Sequence, residues 1–109
     1  QSAAAKPKRE PAPVRRIVGI AGAYSGEVFE LTPGEITIGR SEGNAVILAG
    51  DNQVSRRHAK INVGEDGMAQ IEDVGSTNGT TVDGARIAAA TALAPGMSVG
   101  IGSTTFRVE

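Results

Sequence analysis

Three short segments carry side chains that could hold an anion. Gly39-Arg40 closes an apolar run, Ser55-Arg56-Arg57-His58 precedes a well-patterned strand, and Ser76-Thr77-Asn78-Gly79 forms a turn before another. Each lies in a loop or at a strand end, where a rigid support presents side chains to solvent. Gathered at one end of a β-structure, they would offer two or three guanidinium groups, two or three hydroxyls and one amide. That inventory suits a phosphate, because arginine supplies planar, permanently charged, bidentate donors and hydroxyls reach the remaining oxygens. Taken alone, each residue has a plainer role: Arg40 a solvated strand-end charge, Ser55 a turn cap, Thr77 and Asn78 turn formers, Arg57 a surface or peptide-recognition charge.

Other chemistry is excluded more firmly. The chain has no cysteine and one histidine, so disulfides, thiolate chemistry and a zinc site on His and Cys are out. Ser55 and His58 would have to serve as nucleophile and base, but no third group is identifiable to orient the ring, and His58 reads as structural. Gly19, Gly22 and Gly26 do not follow the G-x-G-x-x-G spacing, and no helix follows them. No catalytic residue, metal or cofactor is expected.

The elements that must position these segments come from a chain of 109 residues, 39% hydrophobic and 21% charged, which is enough for one domain. Aromatics make up 3%, so a surface for stacking bases is not expected. The net charge of −1 hides a division. Residues 1–16 carry Lys6, Lys8, Arg9, Arg15 and Arg16 against Glu10, while residues 17–109 hold six basic and eleven acidic groups. The first stretch, rich in Ala, Pro and Lys, reads as a flexible basic tail or linker. The chain starts at Gln1, which suits a processed chain or a module of something longer. No apolar run approaches the roughly 18 residues of a membrane span, and no signal-peptide core is present, so the expected setting is soluble and cytoplasmic.

From Ile17 onward, apolar runs and alternations predict strands at 17–20, 28–31, 36–38, 46–48, 59–63, 68–71, 80–82, 97–101 and 104–108. Pro33-Gly34, Asp66-Gly67, Asn78-Gly79, Asp83-Gly84 and Pro95-Gly96 mark turns, and Asp66-Gly67 should join two antiparallel strands. Ala59, Ile61 and Val63 should face one way, His58, Lys60 and Asn62 the other. Only Ile87–Ala94 favours a helix by composition, but it is short and ends at Pro95-Gly96. Many short strands with turns every 8–12 residues predict an all-β sandwich or barrel.

In order along the chain, Ile38-Gly39-Arg40, Val54-Ser55-Arg56-Arg57-His58-Ala59 and Asp73 through Gly84 resemble the Gly-Arg, Ser-x-x-His and Asn-Gly blocks of the forkhead-associated domain. The resemblance covers residues 17–109, including Leu93–Gly96 and the ending Phe106-Arg107-Val108. It implies an eleven-stranded antiparallel β-sandwich of the SMAD/FHA-like type, preceded by the tail at 1–16. It also implies phosphothreonine-dependent peptide binding in Ser/Thr-kinase signalling. By the same resemblance, Arg40, Ser55, Arg56, Thr77 and Asn78 are the phosphopeptide contacts, and Gly39, His58 and Gly79 shape the loops. The family's late Gly-Asp is Gly96-Met97 here, and Ala45 stands where an acidic residue is common.

The expected partner is a phosphothreonine-containing protein or peptide, a Ser/Thr kinase or its substrate. No nucleic acid or membrane partner is expected, and the domain should be a monomer. Lys60 and Arg86 read as solvated charges that could widen the positive field. The competing readings are a scaffold that binds protein without phosphate and a tail that binds nucleic acid.

Overall fold

Alternating patterns become buried and exposed faces in the computed structural model, which describes residues 12–109. Eleven strands form: β1 (Arg16–Ala21), β2 (Val28–Glu30), β3 (Gly34–Gly39), β4 (Val46–Ile47), β5 (Ala59–Val63), β6 (Ala69–Asp73), β7 (Thr80–Val82), β8 (Ala85–Arg86), β9 (Thr91–Leu93), β10 (Ser98–Ile101) and β11 (Thr104–Val108). They make a six-stranded sheet ordered β2-β1-β11-β10-β7-β8 and a five-stranded sheet ordered β4-β3-β5-β6-β9. No helix forms among the described residues, so none is long and apolar enough to cross a membrane.

Along β5, Ala59, Ile61 and Val63 turn inward while Lys60 and Asn62 face outward, as a period of two requires. The Asp66-Gly67 turn joins β5 to β6 in an antiparallel pair with Val63 opposite Ala69. The inner faces meet in an aliphatic core in which Ile17, Ile38, Leu48, Ile61, Ile71, Ile101 and Phe106 are buried. With so few aromatics, the contact between Phe29 and Phe106 stands out, edge to face with ring centroids 5.9 Å apart. It joins β2 to β11 across β1.

Three features depart from the sequence reading. Residue patterns predict nine strands, but β8 and β9 are also present, two and three residues long. They are too short to show a period, and the alanine-rich stretch at 87–94 forms β9 instead of a helix because Ala69 pairs with Leu93 and Ile71 with Thr91. The sandwich is antiparallel except for β3 and β4, which run parallel. The loop at 40–45 curls back so that Ile38 lies beside Val46, and the Leu48 N–H donates to the Gly39 carbonyl at 2.8 Å. Third, the fold takes in residues before Ile17. Val14 is buried and its N–H donates to the Gly67 carbonyl at 2.9 Å, while the Arg15 N–H donates to the Glu109 carbonyl. Residues 1–11 of the expected tail lie outside the described residues.

Phe106 is fully enclosed, so Phe106→Ala leaves a cavity that this aliphatic core cannot fill. The expected loss is about 3–5 kcal/mol, read as a lower urea midpoint with unchanged slope. A shift below about 1 kcal/mol would show that the core relaxes around the gap.

Candidate functional site

β3 delivers Arg40 to the end of the sandwich, the segment before β5 delivers Ser55 and Arg56, and the β6–β7 connection delivers Thr77 and Asn78. All three loops meet. The Arg40 N–H donates to the Ser55 carbonyl at 3.0 Å, and its side-chain Nε donates to the Val54 carbonyl at 2.9 Å. That bond fixes the guanidinium while leaving its terminal NH2 groups for a ligand. The Thr77 N–H donates to Ser55 Oγ at 3.0 Å. Ser55 therefore uses an acceptor lone pair internally and keeps its O–H to donate. Asn78 Nδ2 donates to the Gln53 carbonyl at 2.8 Å and to Gln53 Oε1 at 3.2 Å, which leaves Asn78 Oδ1 as a spare acceptor.

His58 lies beneath these contacts, completely buried. The Ser55 N–H donates to its Nδ1 at 3.0 Å, and its Nε2 faces the Gly79 carbonyl at 2.8 Å. The two partners settle the tautomer, because Nδ1 meets a donor and Nε2 meets an acceptor; the ring is neutral with its proton on Nε2. Neither nitrogen is available to the Ser55 hydroxyl. The sequence alternation placed His58 on the outward face with Lys60, but it precedes the first residue of β5 and turns inward to make these two bonds.

Two carboxylates hold the loops from either side. Asp51 is buried, accepting from Gln53 N at 3.0 Å, Ser103 N at 3.0 Å, Ser103 Oγ at 2.9 Å and Thr104 Oγ1 at 2.6 Å. It thereby ties the Ser55 segment to the β10–β11 turn. Burial pushes its carboxyl up, but the hydrogen bonds from Thr104, Ser103 and Gln53 outweigh that and hold it below the usual range. Asp73 does the same for the third loop, accepting from Gly75 N at 2.8 Å, Ser76 N at 2.9 Å, Thr80 Oγ1 at 2.8 Å and Ser76 Oγ. Burial again pushes upward, and the bonds from Ser76, Thr80 and Gly75 bring the group down to about 2.

Close approach requires glycine at 39, and a left-handed backbone favours it at 79. A Cβ on Gly39 would overlap the Arg56 carbonyl, which also accepts from Asn44 Nδ2 at 2.8 Å. Gly79 has a φ of 85°, and a Cβ there would stand 2.5 Å from Nε of Arg86.

The basic side chains fall into two groups. Arg16 pairs with Glu30 and Glu109, Lys60 with Glu35 and Glu72, and Arg107 with Glu109. Among the described residues, no carboxylate pairs with Arg15, Arg40, Arg56, Arg57 or Arg86, and all five are exposed. Lys60 therefore has its charge matched locally. Arg57 borders a polar hollow of about 230 Å³ with Ser41, Gly43 and Asn44. No group of three His, Asp or Glu side chains among the described residues could hold a metal ion.

Sequence reasoning brought together Arg40, Ser55, Arg56, Thr77 and Asn78, with Gly39, His58 and Gly79 behind them, and the structure places all eight in one loop cluster. It missed Asn44, Asp51 and Gln53, whose hydrogen bonds tie the loops together. A faint signal existed for Asp51, whose side chain caps the amide two residues on, a habit of Asp in turns.

The model of the FHA domain family matches residues 36–102 of this chain. FHA domain-containing protein FhaB of Mycobacterium tuberculosis is 33% identical over 87% of this chain and 60% of its own length. The chain thus spans about 60% of the length of the curated relatives it matches. The FHA domain of CT664 protein from Chlamydia trachomatis is similar in structure, with a TM-score of 0.80 and 33% identity over 87% of this chain and 95% of that one. A structure from an analysis of phosphothreonine-dependent FHA domain interactions has a TM-score of 0.78 and 31% identity, over 88% of this chain and 95% of that one.

Two measurements check the internal supports. His58→Ala leaves the Ser55 N–H and the Gly79 carbonyl unpaired and opens a cavity, so unfolding should become easier by about 2–4 kcal/mol; an unchanged denaturation midpoint would contradict the ring's role. Asp73 is lowered from 3.8 to about 2 in the folded state, so its contribution is present above pH 4 and lost as pH falls towards 2. Wild-type stability should decline over that window, and Asp73→Asn should be less stable at neutral pH with a flatter decline. Parallel curves would remove Asp73 from this account.

Proposed function

The chain belongs to the forkhead-associated (FHA) domain family, and from that premise we propose that it reads phosphothreonine on a partner protein, a Ser/Thr kinase or its substrate. The observation that carries this reading is the carboxylate-free Arg40 guanidinium, held by its Nε on the Val54 carbonyl, together with a Ser55 hydroxyl whose proton is left to donate and the exposed, unpaired Arg56 next to it in the chain. Similarity to a domain with phosphothreonine-dependent interactions supports it.

In this reading the terminal nitrogens of Arg40 and the Ser55 hydroxyl bind phosphate oxygens, and Arg56 closes the charge from the solvent side. Thr77 borders the threonine methyl, and Asn78 Oδ1 accepts from the peptide main chain. A phosphothreonine carries about −1.5 to −2 charge at neutral pH, and each charge-assisted bond contributes roughly 1.5–3 kcal/mol. Against a Ser55–His58 nucleophile and base, both His58 nitrogens bond backbone groups, which leaves that ring unavailable to Ser55; in this reading the domain binds and does not turn over. The setting that suits the function is the cytoplasm, where ATP-dependent kinases write the mark.

Titration with one peptide in phosphothreonine, phosphoserine and unphosphorylated forms tests the reading. Phosphothreonine should bind best, and equal affinity for all three would favour a phosphate-independent scaffold. Arg40→Ala and Ser55→Ala should each lower phosphopeptide affinity about tenfold or more while melting close to wild type. Because the second phosphate ionisation lies at about pH 6, affinity should also drop as pH falls from 7 to 5.

A further inference from the structure

Arg86 is the one unpaired arginine among the described residues of β-strands. It ends β8, an edge strand of the six-stranded sheet. Its guanidinium lies across Gly79, with Nε 2.5 Å, Cζ 2.8 Å and one terminal nitrogen 3.1 Å from the place where a Cβ would stand. This position is one residue beyond Asn78. Arg86 also lines a surface hollow of about 410 Å³ together with Asp83, Thr91 and the half-buried Ile87 and Met97. Asp83 lines the same hollow; its Oδ1 accepts from the Ser98 N–H at 2.9 Å, and no ion pair joins its carboxylate to Arg86.

The geometry points to Arg86 as the reader of a second anionic side chain on the bound peptide, flanking the phosphothreonine on the β8 side. The inference rests on the phosphothreonine reading of the neighbouring loops. An exposed guanidinium with no carboxylate partner, lying over Gly79 one residue beyond the Asn78 side-chain amide that would accept from the peptide main chain, is a donor awaiting an acceptor. Its fork matches a carboxylate or a phosphate equally well in geometry, so the ligand chemistry is an anion with two or more oxygens. The hollow beside it, where Ile87 and Met97 lie, gives the peptide a place to continue past that anion. Arg40, Arg56 and Ser55 contact the first phosphate, whereas Arg86 sets which flanking sequences are favoured.

Affinity measurements on one phosphothreonine peptide, with Ala, Glu, Lys or a second phosphothreonine at each flanking position in turn, test the inference. For wild type, Glu or the second phosphothreonine should strengthen binding about fivefold to tenfold over Ala at one position, and Lys should weaken it there. A gain with both identifies a general anion subsite, and a gain with the second phosphothreonine alone identifies a phosphate subsite; either supports the assignment. Arg86→Gln should bring the anionic peptides to the affinity of the Ala peptide, and Arg86→Glu should reverse the order so that Lys is preferred. Should wild type show no anion preference, or should Arg86→Gln keep it or weaken every phosphothreonine peptide alike, the assignment of Arg86 is overturned while the phosphothreonine reading stands. If wild type does not discriminate phosphothreonine from threonine at all, both readings fall.

Discussion

The His58 ring, neutral and shut away from water, bonds the Ser55 amide on one side and the Gly79 carbonyl on the other, and the separation of two loops is thereby set by the width of an imidazole. Ser55 can accept from the Thr77 amide because its own backbone is held at that distance. Thr77 in turn places Asn78 within reach of Gln53. No apolar side chain of similar size could substitute, since it would leave a buried donor and a buried acceptor unpaired. A protonated ring would fare no better, because Nδ1 would then direct a proton at an N–H.

Electrostatics adds a second layer. The domain is acidic in total, yet its carboxylates are placed where they do not neutralise the loop arginines. Asp51 and Asp73 are saturated by hydroxyl and amide donors within the loops they brace, and the glutamates on the strands pair with Arg16, Lys60 and Arg107. Apart from Arg15 at the far end, the unmatched arginines lie at one end of the sandwich and beside it on β8. A net negative charge on the domain coexists with unpaired loop arginines because Asp51 and Asp73 turn into their own loops, onto neutral donors, and form no ion pair with them.

The sequence made the strands legible where alternation ran for five residues, as in β5 and β11, and where Asp-Gly marked the turn between β5 and β6. It did not reveal β8 and β9, whose two and three residues are strand only because a neighbour pairs with them. The loop residues proposed to contact phosphate were legible because each sits in a short block beside glycine or serine that keeps its character in one dimension. Their supports were not: Asn44 reaches the carbonyl of Arg56, and Asp51 reaches Ser103 and Thr104, through contacts that exist only after the loops close. The significance of Arg86 was hidden for the opposite reason, since the absence of an acidic partner is a property of space and not of neighbours in sequence.

β5 begins beside His58 and ends at the turn containing Gly67, the same turn that receives Val14. Glu109 is bonded to Arg15 and Arg16 at that far end too. Both described chain ends therefore emerge at the pole opposite the loops. A five-residue strand rises about 3.3 Å per residue, so the body of the sandwich stands as a spacer between attachment and recognition. A ligand held by the loops and a contact made around Val14 or Glu109 can therefore coexist without competing for one surface.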